Sequence, residues 1–270
     1  VKVLVIGVTG ELGGAVASEL GGREDVSVRA FVRRPLAPDG PRVDEVVEGD
    51  LRNAASLGRV CEGVTSIFLV SSPTRDQVEL ETNAIEAAEG AGVGRIVKVS
   101  NIPIEGLETG LHGNHRAIER RLAASSCASV VLQPSFFASV IGKQAEVVAR
   151  GHVVLPTGSG RIAWIEPSDI AAVGAAALVR DDLDGPLHLT GPESLDGDEV
   201  AARLGVKRLD VPLDRWREAV VASGLDPWLA DSTVHLFEAI ARGALAQTTG
   251  TVERVLGRPP RRVFGEGPRV

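Results

Sequence analysis

The chain opens with an apolar strand, a glycine-spaced turn and an amphipathic helix in immediate succession, and few folds accept that order. Lys2-Val3-Leu4-Val5-Ile6 runs into Gly7-Val8-Thr9-Gly10-Glu11-Leu12-Gly13, and Ala15-Val16-Ala17-Ser18-Glu19-Leu20 follows. This is the opening of a dinucleotide-binding βαβ unit. Gly7 lets the strand turn sharply, Gly10 lets backbone come close to a pyrophosphate, and Gly13 lets the helix pack tightly on the sheet. The first helical turn then offers unpaired N–H groups and a positive dipole end to phosphates. Thr9, Glu11 and Leu12 lie inside the same stretch and join the three glycines as candidate cofactor contacts.

The next strand, Val26 to Val32, ends at Arg33-Arg34-Pro35. An NAD site places a carboxylate about 20 residues beyond the glycines to hold the ribose hydroxyls. Here that place holds arginines. A carboxylate would repel a 2′-phosphate, whereas a guanidinium pairs with it through charge-assisted hydrogen bonds. Such a bond contributes about 1.5–3 kcal/mol, enough for a roughly tenfold to hundredfold preference. The expected cofactor is therefore NADPH/NADP+, with Arg33 and Arg34 as its phosphate partners.

The rest of the composition narrows the partners. A net charge of −7 argues against nucleic acid or an anionic membrane, since both call for a basic surface. The chain has two cysteines, Cys61 and Cys127, without a C-x-x-C, so neither a disulfide framework nor a thiolate zinc site is expected. No apolar run is long enough to span a bilayer, and the apolar start breaks at the glycine turn, unlike a signal peptide. A cytoplasmic location is the simplest expectation. The sequence leaves the oligomeric state open.

Strand-like and helical runs alternate through the first half. Val43–Glu48, Ser66–Val70, Arg95–Ser100 and Ser129–Gln133 read as strands, and residues 54–61, 77–90 and 115–124 as helices. Strands without clean alternation, separated by helices, predict a parallel sheet covered on both faces. The expected class is α/β: a Rossmann-type doubly wound parallel sheet with a small, mostly helical C-terminal substrate lobe. Residues 1–150 would form the NADP-binding domain and 151–270 the smaller lobe, with 167–180 packing back on the sheet.

Several separated segments together resemble one family, the NmrA-like atypical short-chain dehydrogenase/reductases. They are the glycine stretch, Arg33, Gly49-Asp50-Leu51, Lys98-Val99-Ser100, His115-Arg116-Ala117-Ile118-Glu119, Leu132 to Phe137, Trp164 to Ala171 and Leu189 to Glu193. The resemblance implies that Asp50 faces the adenine amino group and that Leu51 packs on the ring. It implies that Ser71 and Ser72 line the path of the pyrophosphate and ribose. Pro134, Phe136 and Phe137 would lie along the nicotinamide and the substrate mouth.

Ordinary members of the wider superfamily reduce carbonyls with a serine, a tyrosine and a lysine. This chain contains no tyrosine, so that mechanism cannot operate. The resemblance puts His115 near the nicotinamide ribose, with Glu119 one helical turn on. His115 is a candidate proton donor or ribose anchor, and Ser100, at the tip of a strand, a candidate for orienting a substrate carbonyl. His112, His115 and Glu119 do not have metal-site spacing, and no metal is expected. Water or the substrate could supply the proton instead, which suits a quinone or a phenol-flanked ketone. The resulting expectation is an NADPH-dependent reductase of an aromatic, polyketide-like ketone or a quinone. The alternatives are a non-catalytic NADP(H)-sensing regulator and an enzyme acting on another electrophile, such as an azo or C=C bond.

Overall fold

The computed structural model describes residues 1–38 and 40–265; the last five positions of the expected C-terminal lobe lie outside the described residues. The first half builds β1 (Lys2–Ile6), α1 (Glu11–Leu20), β2 (Ser27–Val32), β3 (Glu45–Glu48), α2 (Ala54–Cys61), β4 (Ser66–Leu69), α3 (Gln77–Gly90), β5 (Arg95–Val99), α4 (Gly110–Ala123) and β6 (Ala128–Pro134). Next come α5 (Ser139–Gly142), α6 (Ala145–Ala149), β7 (His152–Val154), α7 (Pro167–Val179) and β8 (Gly185–Leu189). The chain continues through α8 (Gly197–Leu204), β9 (Lys207–Leu209), α9 (Leu213–Ala222), α10 (Pro227–Ala241) and α11 (Thr251–Leu256).

Seven strands form one sheet in the order β3-β2-β1-β4-β5-β6-β8, and the pairings from β3 through β6 are parallel. Strand alternation divides the side chains between two faces. Ile67 and Leu69 enter a core cluster with Leu57, Val60 and Cys61 of α2, Ile85 and Ala88 of α3, and Ile118 and Leu122 of α4. Phe68 points the other way, under Gly174 of α7, where an added Cβ would lie 2.9 Å from its ring and 3.5 Å from Val16 of α1. A doubly wound sheet with helices on both faces is the result.

The chain divides into two compact units. The first comprises residues 1–101, 114–133 and 168–187, and the second residues 102–113, 134–167 and 188 onward. A single cut at residue 150 does not describe them. The second unit takes residues 102–113 and takes up the chain again at Pro134, the last residue of β6, and most of α7 returns to the first, where Ser66 Oγ donates to the carbonyl of Leu178 at 2.9 Å. The second unit has its own core around Trp164, Phe237, Ile162 and Val200, with β7 and β9 as a two-stranded parallel sheet. Helix α4 begins five residues before the expected start. The expected helix left out Gly110 and Gly113, yet a Cβ at Gly113 would fall 2.6 Å from the Glu108 carbonyl oxygen, so the tight first turn requires that glycine.

Candidate functional site

The strand order reverses between β1 and β4, and in open α/β sheets the crevice at such a reversal takes ligands. A cleft of about 230 Å³ opens there, formed by the segments that follow β1, β2, β3 and β4. Seven residues singled out in the sequence line it together: Gly7, Thr9, Arg33, Asp50, Leu51, Ser71 and Ser72. Arg34 is exposed beside Arg33.

The glycines act differently from one another. Gly7 adopts φ +87°, and a Cβ would sit 2.3 Å from the Val70 carbonyl oxygen. Gly13 approaches the same loop so closely that a Cβ would lie 2.2 Å from the Gly7 carbonyl oxygen. Both therefore hold β1, α1 and β4 together. Gly10 caps α1 in an extended conformation without a side-chain capping bond, leaving the first-turn N–H groups uncovered by a cap. Its own Cβ would lie 3.3 Å from the Gly7 oxygen, a tight contact that a shift of a few tenths of an ångström relieves. Glu11 is exposed in the first turn, whereas the Leu12 side chain is buried, which leaves its backbone as the part able to meet a ligand.

The opposite wall is built by the end of β2 and the loop after β3. A Cβ at Gly49 would collide with the Phe31 ring at 2.5 Å, so the glycine lets this ring form part of the cleft. The Asp50 carboxylate accepts from the backbone N–H of Arg52 at 2.9 Å in a tight turn, while Asn53 serves the first turn of α2. Arg52 also lines the cleft and pairs with Asp76. Its place in the lining was not anticipated, because an arginine between Leu51 and Asn53 reads as an ordinary surface charge.

At the carboxyl end of β5 a second polar cluster surrounds Glu119. Ser100 Oγ donates to Glu119 Oε1 at 2.5 Å, and Gln133 Nε2 donates to the same oxygen at 2.9 Å. Arg116 bridges Glu119 Oε2 at 2.8 Å, Ser100 Oγ at 3.0 Å and the Asn101 carbonyl at 2.8 Å. His115 is buried one turn away, with Nδ1 3.5 Å from Lys98 Nζ. The Lys98 ammonium is paired in turn with Glu81 at 2.9 Å, and Glu81 accepts from the cleft residue Ser71 at 2.7 Å. His115 is thus joined to the cleft wall through two buried charges, of which Lys98 falls within a segment of the family resemblance without a role assigned to it and Glu81 falls within none. Glu81 shares the buried face of α3 with Gln77, Leu80 and Ala84, and Lys98 shares its strand face with Ile96; those periodicities were the available signal.

Three expected contacts belong to the second unit. Pro134 ends β6 and is buried, and Phe136 packs edge-on against Trp164 and Phe237, with ring centroids 5.3 and 6.3 Å away. Phe137 bridges to Ile165. Among the described residues, no group of three or more His, Cys, Asp or Glu side chains is arranged to hold a metal ion, and no helix is long and apolar enough to cross a membrane.

Residues 7–181 match the family model described as NAD(P)H-binding, and the chain belongs to this family. The NmrA-like atypical short-chain dehydrogenase/reductase resemblance holds with it. An NAD(P)H azoreductase of Xenophilus azovorans is 31% identical, over 96% of this chain and 94% of the relative. A (4-alkanoyl-5-oxo-2,5-dihydrofuran-3-yl)methyl phosphate reductase of Streptomyces griseus is 30% identical, over 96% and 94%. The fold matches that of an NADPH-dependent quinone oxidoreductase of Escherichia coli complexed with NADPH, with a TM-score of 0.86 over 97% of this chain and 96% of that one, at 24% identity.

Proposed function

We propose that this protein is an NADPH-dependent reductase that reduces a quinone or an aromatic, polyketide-like ketone. The observation that carries the reading is Arg33, which lines the cleft just past β2 where an NAD site has a carboxylate. The cleft fits the cofactor: an uncapped helix N-terminus stands ready for the pyrophosphate, a guanidinium for the 2′-phosphate, and Asp50 and Leu51 for the adenine. Bound NADPH would supply the hydride equivalent.

The chain's own residues bind, orient and polarise. Without a tyrosine, an acceptor whose reduced oxygen is stabilised by its own ring or by a neighbouring phenol asks least of the protein. His115, buried on α4 beside the polar cluster at the end of β5, would support the developing charge, while Ser100 could do so only by giving up its bond to Glu119. The named relatives act on an azo compound and an oxo-dihydrofuran, and both are conjugated acceptors.

The test is NADPH oxidation with a panel of quinones and phenol-flanked aromatic ketones, beside direct titration with NADPH and NADH. Turnover together with at least tenfold tighter NADPH binding is expected. Tight NADPH binding without oxidation by any acceptor would replace this reading with the NADP(H)-sensing regulator.

A further inference from the structure

Lys98 and Glu81 are both completely buried, and their charged groups meet at 2.9 Å. Taking two charges out of water is rarely repaid by their mutual attraction alone, so what else the pair touches becomes informative. The Glu81 carboxylate is held on its second oxygen, Oε1, by Ser71 Oγ at 2.7 Å and by Gln77 Nε2 at 3.3 Å. Braced in this way, it keeps Oε2 on Lys98. The Lys98 ammonium has three protons and no lone pair. Three acceptors surround it: Glu81 Oε2, the Val99 carbonyl oxygen and His115 Nδ1, the last at 3.5 Å.

A ring nitrogen facing an ammonium has to accept. If Nδ1 carried a proton, an N–H would point at an N–H, and one proton of Lys98 would lose its partner in a buried site. We infer that Lys98 is a positioning residue that fixes His115 as the neutral tautomer protonated at Nε2, and that Glu81 holds Lys98 in place for this purpose. In that form His115 offers an N–H to an oxygen gaining negative charge, and does not hold a second proton for transfer. A neutral imidazole can polarise a carbonyl in this way. The role at the reacting oxygen rests on the function proposed above; the tautomer does not.

The experiment is 15N NMR of histidine-labelled protein without added ligand, near neutral pH, with the His115 signals assigned by their loss in His115→Gln. A pyridine-like shift at Nδ1 and a pyrrole-like shift at Nε2 are expected. In Lys98→Met/Glu81→Gln, which removes both charges and nearly keeps their shapes, the two shifts should move toward each other as the tautomers mix. A protonated Nδ1 in the unmodified protein would overturn the inference, as would an unchanged pattern in the folded double variant. If that variant does not fold, the unmodified protein decides alone by the same criterion. Because the readout needs no turnover, the expected pattern in a protein that reduces nothing would retain the tautomer and discard the reductase.

Discussion

The hydroxyl of Ser100 donates to Glu119 Oε1 across 2.5 Å while accepting from Arg116 Nη2 at 3.0 Å. A hydroxyl has one proton, and this one is committed to a carboxylate. Ser100 is thereby fixed in place, yet it is not poised to donate to a substrate carbonyl unless that bond is given up. Removing a hydrogen-bond donor to a developing oxyanion costs about a hundredfold to a thousandfold in kcat. Ser100→Ala should cost about tenfold or less, with Glu119 still held by Gln133 and Arg116. A fall of a hundredfold or more in steady-state kcat would show that the serine proton does reach the substrate.

Gly10 and Gly13 should separate binding from stability. A Cβ at Gly10 lies 3.3 Å from the nearest backbone atom, and its φ of −92° suits any residue. Gly10→Ala should therefore fold with a change within about 1 kcal/mol. It should nonetheless lose at least tenfold in NADPH affinity, since the methyl group enters the space for close backbone approach. Gly13→Ala places its Cβ 2.2 Å from the Gly7 oxygen and should lower Tm sharply in the absence of any ligand. Thermal denaturation and fluorescence titration of both variants check the contrast. Unchanged NADPH affinity in Gly10→Ala would reduce the loop to a structural turn.

The contrast also shows what the sequence makes legible. The glycine turn and Arg33 each sit just past a strand, so the chain-local pattern of strand, turn and helix points to them, whereas Asp50 and Ser71 are what the family resemblance implies. One parallel sheet then gathers all the strand ends on one side. Lys98 and Glu81 are 17 positions apart on different elements, and a charged residue carries no sequence mark of complete burial. Only their periodic place among Ile96 and Leu80 hinted at it. Strand β9, Lys207–Leu209, was missed for another reason: three residues, two of them cationic, have no alternation to read, and pairing with β7 creates the strand. The two compact units were hidden because each is assembled from segments far apart in the chain.

An ion pair between α3 and α4 gives the fold a defined acid sensitivity. Arg121 grips both oxygens of Glu89, at 3.1 and 2.5 Å, and this bond, with help from Ser125, holds the Glu89 carboxyl down at about 2 from an ordinary 4.5. A carboxyl whose value is lowered by folding stabilises the native state above its unfolded value, and that contribution is lost as pH falls through the folded one. The window here runs from 4.5 down to about 2. Because the pair is partly in solvent, its worth is about 1 kcal/mol at neutral pH. Arg121→Gln should be less stable than the unmodified protein by that amount at pH 7, and the gap should narrow steadily below pH 4.5. Urea denaturation across this range measures it; a gap that is constant with pH would assign the loss to packing of the arginine stem.

The cofactor preference should reside in Arg33 more than in its neighbour. Arg33 lines the cleft at the end of β2, while Arg34 is an adjacent exposed cation. A direct guanidinium–phosphate hydrogen bond is worth about 1.5–3 kcal/mol, whereas a neighbouring solvated charge contributes at most about 1 kcal/mol and is screened by salt. Arg33→Ala should therefore weaken NADPH binding roughly tenfold to a hundredfold and leave NADH binding nearly unchanged. Arg34→Ala should weaken NADPH by about fivefold or less, an effect that fades at high salt. Arg33→Asp should go further and favour NADH, because its carboxylate repels the 2′-phosphate and can accept from the ribose hydroxyls. Arg52 also lines the cleft, but its guanidinium is already paired with Asp76, so Arg52→Ala should leave the ratio of the two affinities within about threefold. Dissociation constants for both cofactors, measured at low and high salt on the four variants, decide the matter. Equal NADPH and NADH affinities in the unmodified protein would remove the 2′-phosphate from the site altogether, and a larger loss in Arg52→Ala than in Arg33→Ala would move it to the loop after β3.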